Sequence, residues 1–205
     1  RRVTREYAEI PSPRPWSGEE LVFPQRPDNP EVSIVIPVYN NLTFTFNCLR
    51  SIAEHTTGSY EIIVVDDASS DDTPRFCSLQ NELIIVRNET NRGFVGSCNM
   101  GAEMAGGQFI LFLNNDTQVT RGWLEPLIRT MQSDQVGAVG SKLQHLCDGT
   151  TVRRGIPVGQ LRRFHAFEVE LQVVLPGEPD PAKELNAVAH RVSVASLFGR
   201  PVPRV

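Results

Sequence analysis

The chain has 205 residues and a formal net charge of −4, from 20 Lys plus Arg against 24 Asp plus Glu. That balance leaves no basic footprint for nucleic acid, no apolar run is long enough to span a bilayer, and no secretory signal is visible. The length allows one ordinary domain with a sizeable core plus tails.

Residues 1–31 are polar and proline-rich around IPSPRPWSG and FPQRPDNP. Such a stretch buries too little apolar surface to fold alone, so it predicts an extended linker entering the domain, with no docking by Trp16 or Phe23 counted on. Because the first residue is Arg1, neighbouring modules of a longer chain are expected partners.

VSIVIPVYNN, residues 32–41, is an apolar strand that stops at Pro37, which cannot donate to a ladder, and opens into Tyr39, Asn40 and Asn41. LTFTFNCLRSIAEH then has apolar positions spaced for one buried helix face, with Asn41 or Thr43 as the expected cap. In YEIIVVDDASSDDTP the strand EIIVV runs straight into Asp66 and Asp67. Ser69 or Ser70 is expected to cap a helix near residues 72–80, whose first turn holds Asp71 and Asp72 beside the positive helix end. LIIVR at 83–87 is a third short strand, followed by the turn Asn91–Gly93 and a helix. The apolar strand QFILFL, 108–113, ends on Asn114, Asn115 and Asp116.

Near-continuous apolar strands indicate burial on both faces, and the alternation of strand and helix predicts an α/β fold with a mainly parallel sheet flanked by helices. In such a sheet, ligands bind at the carboxyl edge, where the acidic cluster lies. A carboxylate with neighbouring amide oxygens suits Mg²⁺ or Mn²⁺, although Asn-Asn-Asp-Thr also reads as a plain turn. Helix capping or loop bonding is the expected work of Asp66.

VSIVIPVYNN, VVDDASSDDT, NRGFVGSCNMG and FLNNDTQV followed by GWLEPLI resemble, in order and spacing, the family-two glycosyltransferases of the nucleotide-binding glycosyltransferase A (Rossmann-like) fold, particularly their rhamnosyltransferase-like branch. The match covers residues 32 to about 150; each motif alone is weak, and the ordered set is strong. The resemblance implies that Pro37, Val38 and Tyr39 line a nucleotide pocket, with Tyr39 stacking on the base and Asp67 contacting it. It implies that Asn91 and Gly93 close over the nucleoside, and that Asn115 and Asp116 correspond to an Asp-any-Asp metal motif. Asn115 stands where many members have Asp, so Asp116 is the anionic ligand for Mn²⁺ or Mg²⁺. The implied partners are a nucleotide-diphosphate sugar donor and a glycan or lipid-linked acceptor, with metal-assisted inverting transfer of a hexosyl or deoxyhexosyl group in polysaccharide biosynthesis.

The tail, residues 151–205, departs from that pattern: the Gly-Gly turn with aromatics and the late Glu-Asp pair that supplies a general base are not recognisable. A shift of reading frame near Thr151 would restore a run such as Ala-Gly-Gly-Phe-Arg-Trp; a divergent, poorly ordered tail is the alternative. Glu168, Glu170, Asp180 and Glu184 are the late carboxylates, each expected as solvated charge. A non-catalytic nucleotide-sugar-binding fragment therefore stands beside the enzyme reading. An unrelated nucleotidyltransferase is disfavoured, because VYNNLT lacks the glycine-rich loop expected after its first strand.

Cys48, Cys77, Cys98 and Cys147 lack metal spacing and predict reduced core thiols in a cytosolic setting, with the inner face of a membrane as a variant of it. His55, His145, His165 and His190 form no ligand pair at helical spacing.

Overall fold

The computed structural model describes residues 13–132, 136, 138–145, 151–152, 165–173 and 195–199. Strand β1 (Val32–Val38) leads to helix α1 (Leu42–His55), then β2 (Tyr60–Asp66), α2 (Thr73–Cys77), β3 (Ile84–Arg87), α3 (Gly93–Met104), β4 (Phe109–Leu113), β5 (Thr117–Val119) and α4 (Leu124–Met131). Beyond these lie β6 (Ala138–His145), β7 (Thr151–Val152), β8 (His165–Val173) and β9 (Ala195–Gly199). They form one sheet in the order β3-β2-β1-β4-β9-β6-β8-β5, with β7 on β6. The half from β3 to β4 is parallel. The other half is mixed, because β9 runs antiparallel to both β4 and β6 while β8 runs parallel to β6.

Every residue of β1 and β2 is buried, whereas β4, whose near-continuous apolar run predicts burial on both faces, alternates buried and half-buried residues. Alternate side chains serve opposite faces: Ile34, Ile36, Ile62 and Val64 join Phe46, Leu49 and Ile52 of α1, whereas Val35, Ile63 and Val65 gather with Met100 and Ala105 around α3. Gly101 lets α3 approach closely, since a methyl group there would overlap Val35 Cγ1 and lie 3.1 Å from Val65 Cγ2. Past β5, Trp123 is 1% exposed and its indole N–H donates to Thr56 Oγ1 at 2.9 Å, which fixes α4 against the end of α1.

The helix starts differ from the sequence expectation. Asn41 occupies the cap position of α1 in a left-handed conformation (φ 60°) with no side-chain cap bond, and Thr43 lies inside the helix. The Leu42 N–H is satisfied instead by Asp71 Oδ2 at 3.1 Å, from the loop after β2. Neither Ser69 nor Ser70 caps α2, which is shorter than expected and preceded by Asp72; Asp71 Oδ1 accepts the Thr73 N–H at 3.0 Å. A cap supplied across 29 residues leaves no local sequence signature.

The proline-rich lead also does more than link. Asn47 grips the Arg14 peptide through both amide atoms, donating to its carbonyl at 2.8 Å and accepting its N–H at 3.2 Å. Trp16 packs edge-on against Phe76 at 5.5 Å, Leu21 N–H donates to Gln80 Oε1 at 3.1 Å, and Phe23 is 8% exposed within the main core. Residues 13–31 thus form a strap over α1 and α2. In the tail, β7, β8 and β9 join the sheet, and Thr151, near which the frame shift is expected, lies on β7; residues 153–158, Asp180, Glu184, Cys147 and His190 lie outside the described residues.

Candidate functional site

The carboxyl edge of the parallel half is organised around a parting of strands. The β1–β4 ladder ends at Val35 opposite Phe112, while the β1–β2 ladder continues through Pro37 opposite Val65 and Val38 opposite Asp66. Strand order reverses at this point, because α1 carries the chain from β1 to β2 on one side and β4 returns on the other. A crevice at such a reversal is where open α/β sheets bind ligands. Pro37 sits where no β4 ladder bond is needed, which explains how a central strand accommodates it.

Around this edge the structure joins several predicted residues directly. Val38 is 1% exposed and its carbonyl accepts the Asp67 N–H at 2.8 Å, whereas Tyr39, one residue on, is 52% exposed. Asp67 Oδ1 accepts the Asn88 amide at 2.7 Å and the Arg92 N–H at 2.8 Å, and Oδ2 accepts the Gly93 N–H at 2.9 Å. Asn91 Oδ1 accepts the same Gly93 N–H at 2.9 Å, so the left-handed Gly93 (φ 72°) starts α3 under two oxygens. Burial would raise the Asp67 carboxyl, but the donors from Arg92, Asn88 and Gly93 outweigh it and hold Asp67 below the usual carboxylate range.

Asp66 behaves as a loop anchor, as expected. It is 1% exposed, accepts the Ser69 N–H at 2.9 Å and pairs with the Arg87 guanidinium, which also donates to the Ser69 carbonyl at 2.9 Å. Two adjacent carboxylates thus have separate tasks: Asp66 fixes the loop after its own strand, and Asp67 fixes the start of α3.

The acidic cluster reaches the edge from β4 and is tied to α1. Asn115 Nδ2 donates to Thr45 Oγ1 at 3.0 Å, and the Asn114 carbonyl accepts from Cys48 Sγ at 3.6 Å. Asn114 Oδ1 is buried and has no hydrogen-bond partner among the described residues. An orphaned buried amide oxygen is costly, and beside the Asp116 carboxylate it fits the oxygen donor set of a hard divalent cation. Among the described residues no group of three His, Cys, Asp or Glu side chains comes together.

Sequence reasoning did not single out Asn88, Ser69 or Arg87 as parts of the site. Asn88 offered one signal, a polar residue directly after an apolar strand end; it is 4% exposed and also donates to Ser97 Oγ at 3.4 Å. Cys48, Cys77 and Cys98 are buried free thiols, and burial pushes Cys77 and Cys98 up to about 12, so they are inert packing groups. A polar cavity of about 500 Å³ opens at the opposite, amino edge, between Arg26, Asp28, Glu61 and Glu82. None of the candidate residues lines it, and Glu61 there is engaged in fold closure, accepting the Ser33 hydroxyl at 2.6 Å and the Gly106 N–H at 2.7 Å.

The family model "Glycosyl transferase family 2" matches residues 33–185. Glycosyltransferase AglE of Haloferax volcanii is 31% identical over 121 residues, 56% of this chain and 40% of that protein. Polypeptide N-acetylgalactosaminyltransferase 6 of Bos taurus is 28% identical over 193 residues, 89% of this chain and 30% of that protein. Among solved structures, S. aureus TarS 1-349 in complex with UDP-GlcNAc aligns with a TM-score of 0.52 and 25% identity, covering 62% of this chain and 37% of that one. The mannosyltransferase PcManGT from Pyrobaculum calidifontis in complex with GDP-Man and Mn²⁺ aligns with a TM-score of 0.51 and 26% identity, covering 62% and 39%. The chain spans less than half the length of each of these proteins.

Proposed function

The chain belongs to glycosyl transferase family 2, and from that premise we propose that it binds a nucleotide-diphosphate sugar in the crevice between β1 and β4 and transfers the sugar to a glycan or lipid-linked acceptor. Its architecture is the glycosyltransferase A fold, a parallel sheet flanked by helices. The observation that carries the proposal is the gathering of Val38, Tyr39, Asp67, Gly93 and the Asn114–Asp116 strand end where strand order reverses between β1 and β4. Nucleotide sugars bound by the two solved relatives support the choice of ligand class.

The roles follow from chemistry. Tyr39 offers an exposed ring face for stacking on a base. Asp67 has about four acceptor sites, of which Oδ1 uses two and Oδ2 one for the donors named above, so a base N–H meets it at Oδ2. Asn91 and Gly93 shape the turn that closes over the nucleoside. Acids of an Asp-any-Asp motif stand two residues apart, so Asn114 rather than Asn115 pairs with Asp116 as an oxygen donor, while Asn115 braces the strand end on Thr45. A divalent cation held there, as Mn²⁺ accompanies GDP-Man in PcManGT, would stabilise the negative charge of the departing diphosphate. An inverting, metal-assisted displacement, hexosyl or deoxyhexosyl transfer in the rhamnosyltransferase-like branch, a role in polysaccharide biosynthesis and a cytoplasmic site at the membrane face complete the reading. No helix among the described residues is long and apolar enough to cross a membrane.

A second reading is a nucleotide-sugar-binding chain without transfer. What favours it is that no described residue has been assigned as the base for the acceptor hydroxyl; Glu168 and Glu170 lie on β8. Titrating the chain calorimetrically with UDP, dTDP and GDP, with and without Mn²⁺, tests the donor site. Metal-dependent binding that weakens at least tenfold in Asp116→Ala is expected; absence of binding by a folded chain overturns it. Release of free sugar from a bound donor then separates an active transferase from a binding module.

A further inference from the structure

Three described non-glycine residues have left-handed backbones, Asn40 (φ 56°), Asn41 (φ 60°) and Ala68 (φ 61°), and all lie at the carboxyl edge. Such conformations persist only where surrounding bonds over-determine them, and they concentrate at sites that need preset geometry. The bonds are present here. The Asn40 N–H donates to Ser69 Oγ at 2.7 Å, and Asn40 Oδ1 accepts the Ser70 N–H at 2.8 Å. Ser69 is itself fixed from below, its N–H on Asp66 Oδ1 and its carbonyl on Arg87. The loops after β1 and β2 are thus clasped to one another, with Tyr39 on one side of the clasp and Asp67 on the other.

We propose that Asn40 is a positioning residue for the nucleoside part of the donor, holding the exposed Tyr39 ring in register with the Asp67 carboxylate through its reciprocal bonds to Ser69 and Ser70. This deepens the donor-binding reading and rests on it. An exposed aromatic ring on an unrestrained loop must be ordered on binding, and pre-organisation removes that entropic cost. Asn suits the position doubly, because it tolerates the left-handed backbone and supplies the oxygen that Ser70 needs. Alanine adopts that backbone at greater cost and supplies no oxygen. Aspartate supplies both.

The test is calorimetric titration of the full chain with UDP, dTDP, GDP and inorganic pyrophosphate, all with Mn²⁺, for the natural protein, Asn40→Ala, Asn40→Asp, Tyr39→Ala and the double variant of Tyr39→Ala with Asn40→Ala. Loss of one hydrogen-bonded positioning group predicts nucleotide affinity about tenfold weaker in Asn40→Ala. Pyrophosphate affinity is unchanged, and Asn40→Asp stays within about twofold of the natural protein. The double variant binds no more weakly than Tyr39→Ala, since the two residues act as one unit. Equal weakening toward nucleotide and pyrophosphate, or additive losses in the double variant, would reduce Asn40 to a structural role and overturn the proposal. Nucleotide binding unchanged in Asn40→Ala overturns it as well. A natural chain that binds no nucleotide at all fails at the earlier step and overturns the donor reading together with this one.

Discussion

Asp66 and Asp67 are chemically identical neighbours that the fold assigns to different work, one to an arginine and its own loop, the other to three N–H donors of the next connection. Replacing Asp67 by Asn sets an NH₂ group against a donor that needs an acceptor, and a loss of about 1–3 kcal/mol is expected. The cost depends on pH with a definite sign. Because the folded carboxyl ionises below its ordinary value, the unfolded chain takes up the proton first in acid. Its stabilisation is therefore complete above the unfolded value near about 3.9 and is lost as pH falls through the lower folded value. Urea unfolding at a series of pH values should show the gap between the natural protein and Asp67→Asn widest above about pH 5 and closing below that window. A gap independent of pH would show that the carboxylate charge contributes nothing.

Legibility in the sequence divides at this scale too. The paired acids, the Asn91–Gly93 turn and the strand-end cluster are contiguous in the chain, so they stand out as motifs, and the family resemblance implied their roles. Asn88, Ser69 and Arg87 act across 18 to 21 residues, and no local pattern marks a partner that distant. Asn115 drew attention as an acid's neighbour, yet its amide is committed to Thr45, 70 residues away.

At the scale of elements, apolar runs marked β1, β2 and β4 as strands, yet only β1 and β2 are buried throughout, while Ile110 and Phe112 of β4 are half-buried. The start of α1 was legible only as a position, since its Leu42 donor is met by Asp71 from another loop. Gly101 shows how packing overrides propensity. Alanine is the better helix former by about 1 kcal/mol, but its methyl would drive into Val35 and Val65. Gly101→Ala is expected to destabilise by about 1–3 kcal/mol net, read as a lower urea midpoint with an unchanged slope. An increase in stability would mean that α3 can shift outward without loss. Such a shift would also move Gly93 and Asn91, so nucleotide affinity measured on the same variant reports whether the helix start is coupled to its buried end.

For the molecule as a whole, the strap decides where the domain begins. Trp16 packs edge-on against Phe76, which in turn packs edge-on against Phe46 at 5.9 Å, and the Arg14 guanidinium covers Phe46 at 4.8 Å. Composition missed this because a few well-placed side chains, rather than average hydrophobicity, dock the segment. Trp16→Ala should cost about 2 kcal/mol, followed through the fluorescence of the remaining tryptophan, Trp123, in the core. A single transition at lower denaturant is the expected result; an unaltered midpoint would return residues 13–31 to the status of a linker.

The position of β9 sets the timetable of folding during synthesis. Ala195–Gly199 is the last described strand, yet it lies between β4 and β6 and completes the hydrogen bonding of both. While the ribosome is still making residues 114–194, which separate β4 from β9, the half-sheet of β3, β2, β1 and β4 is already available to assemble. Its β4 side is then an open edge of apolar residues, Phe-Ile-Leu-Phe-Leu, with unmet N–H and carbonyl groups. Nascent chains are thus most prone to pair with one another in that interval, and the vulnerability ends when the closing strand emerges and takes its place.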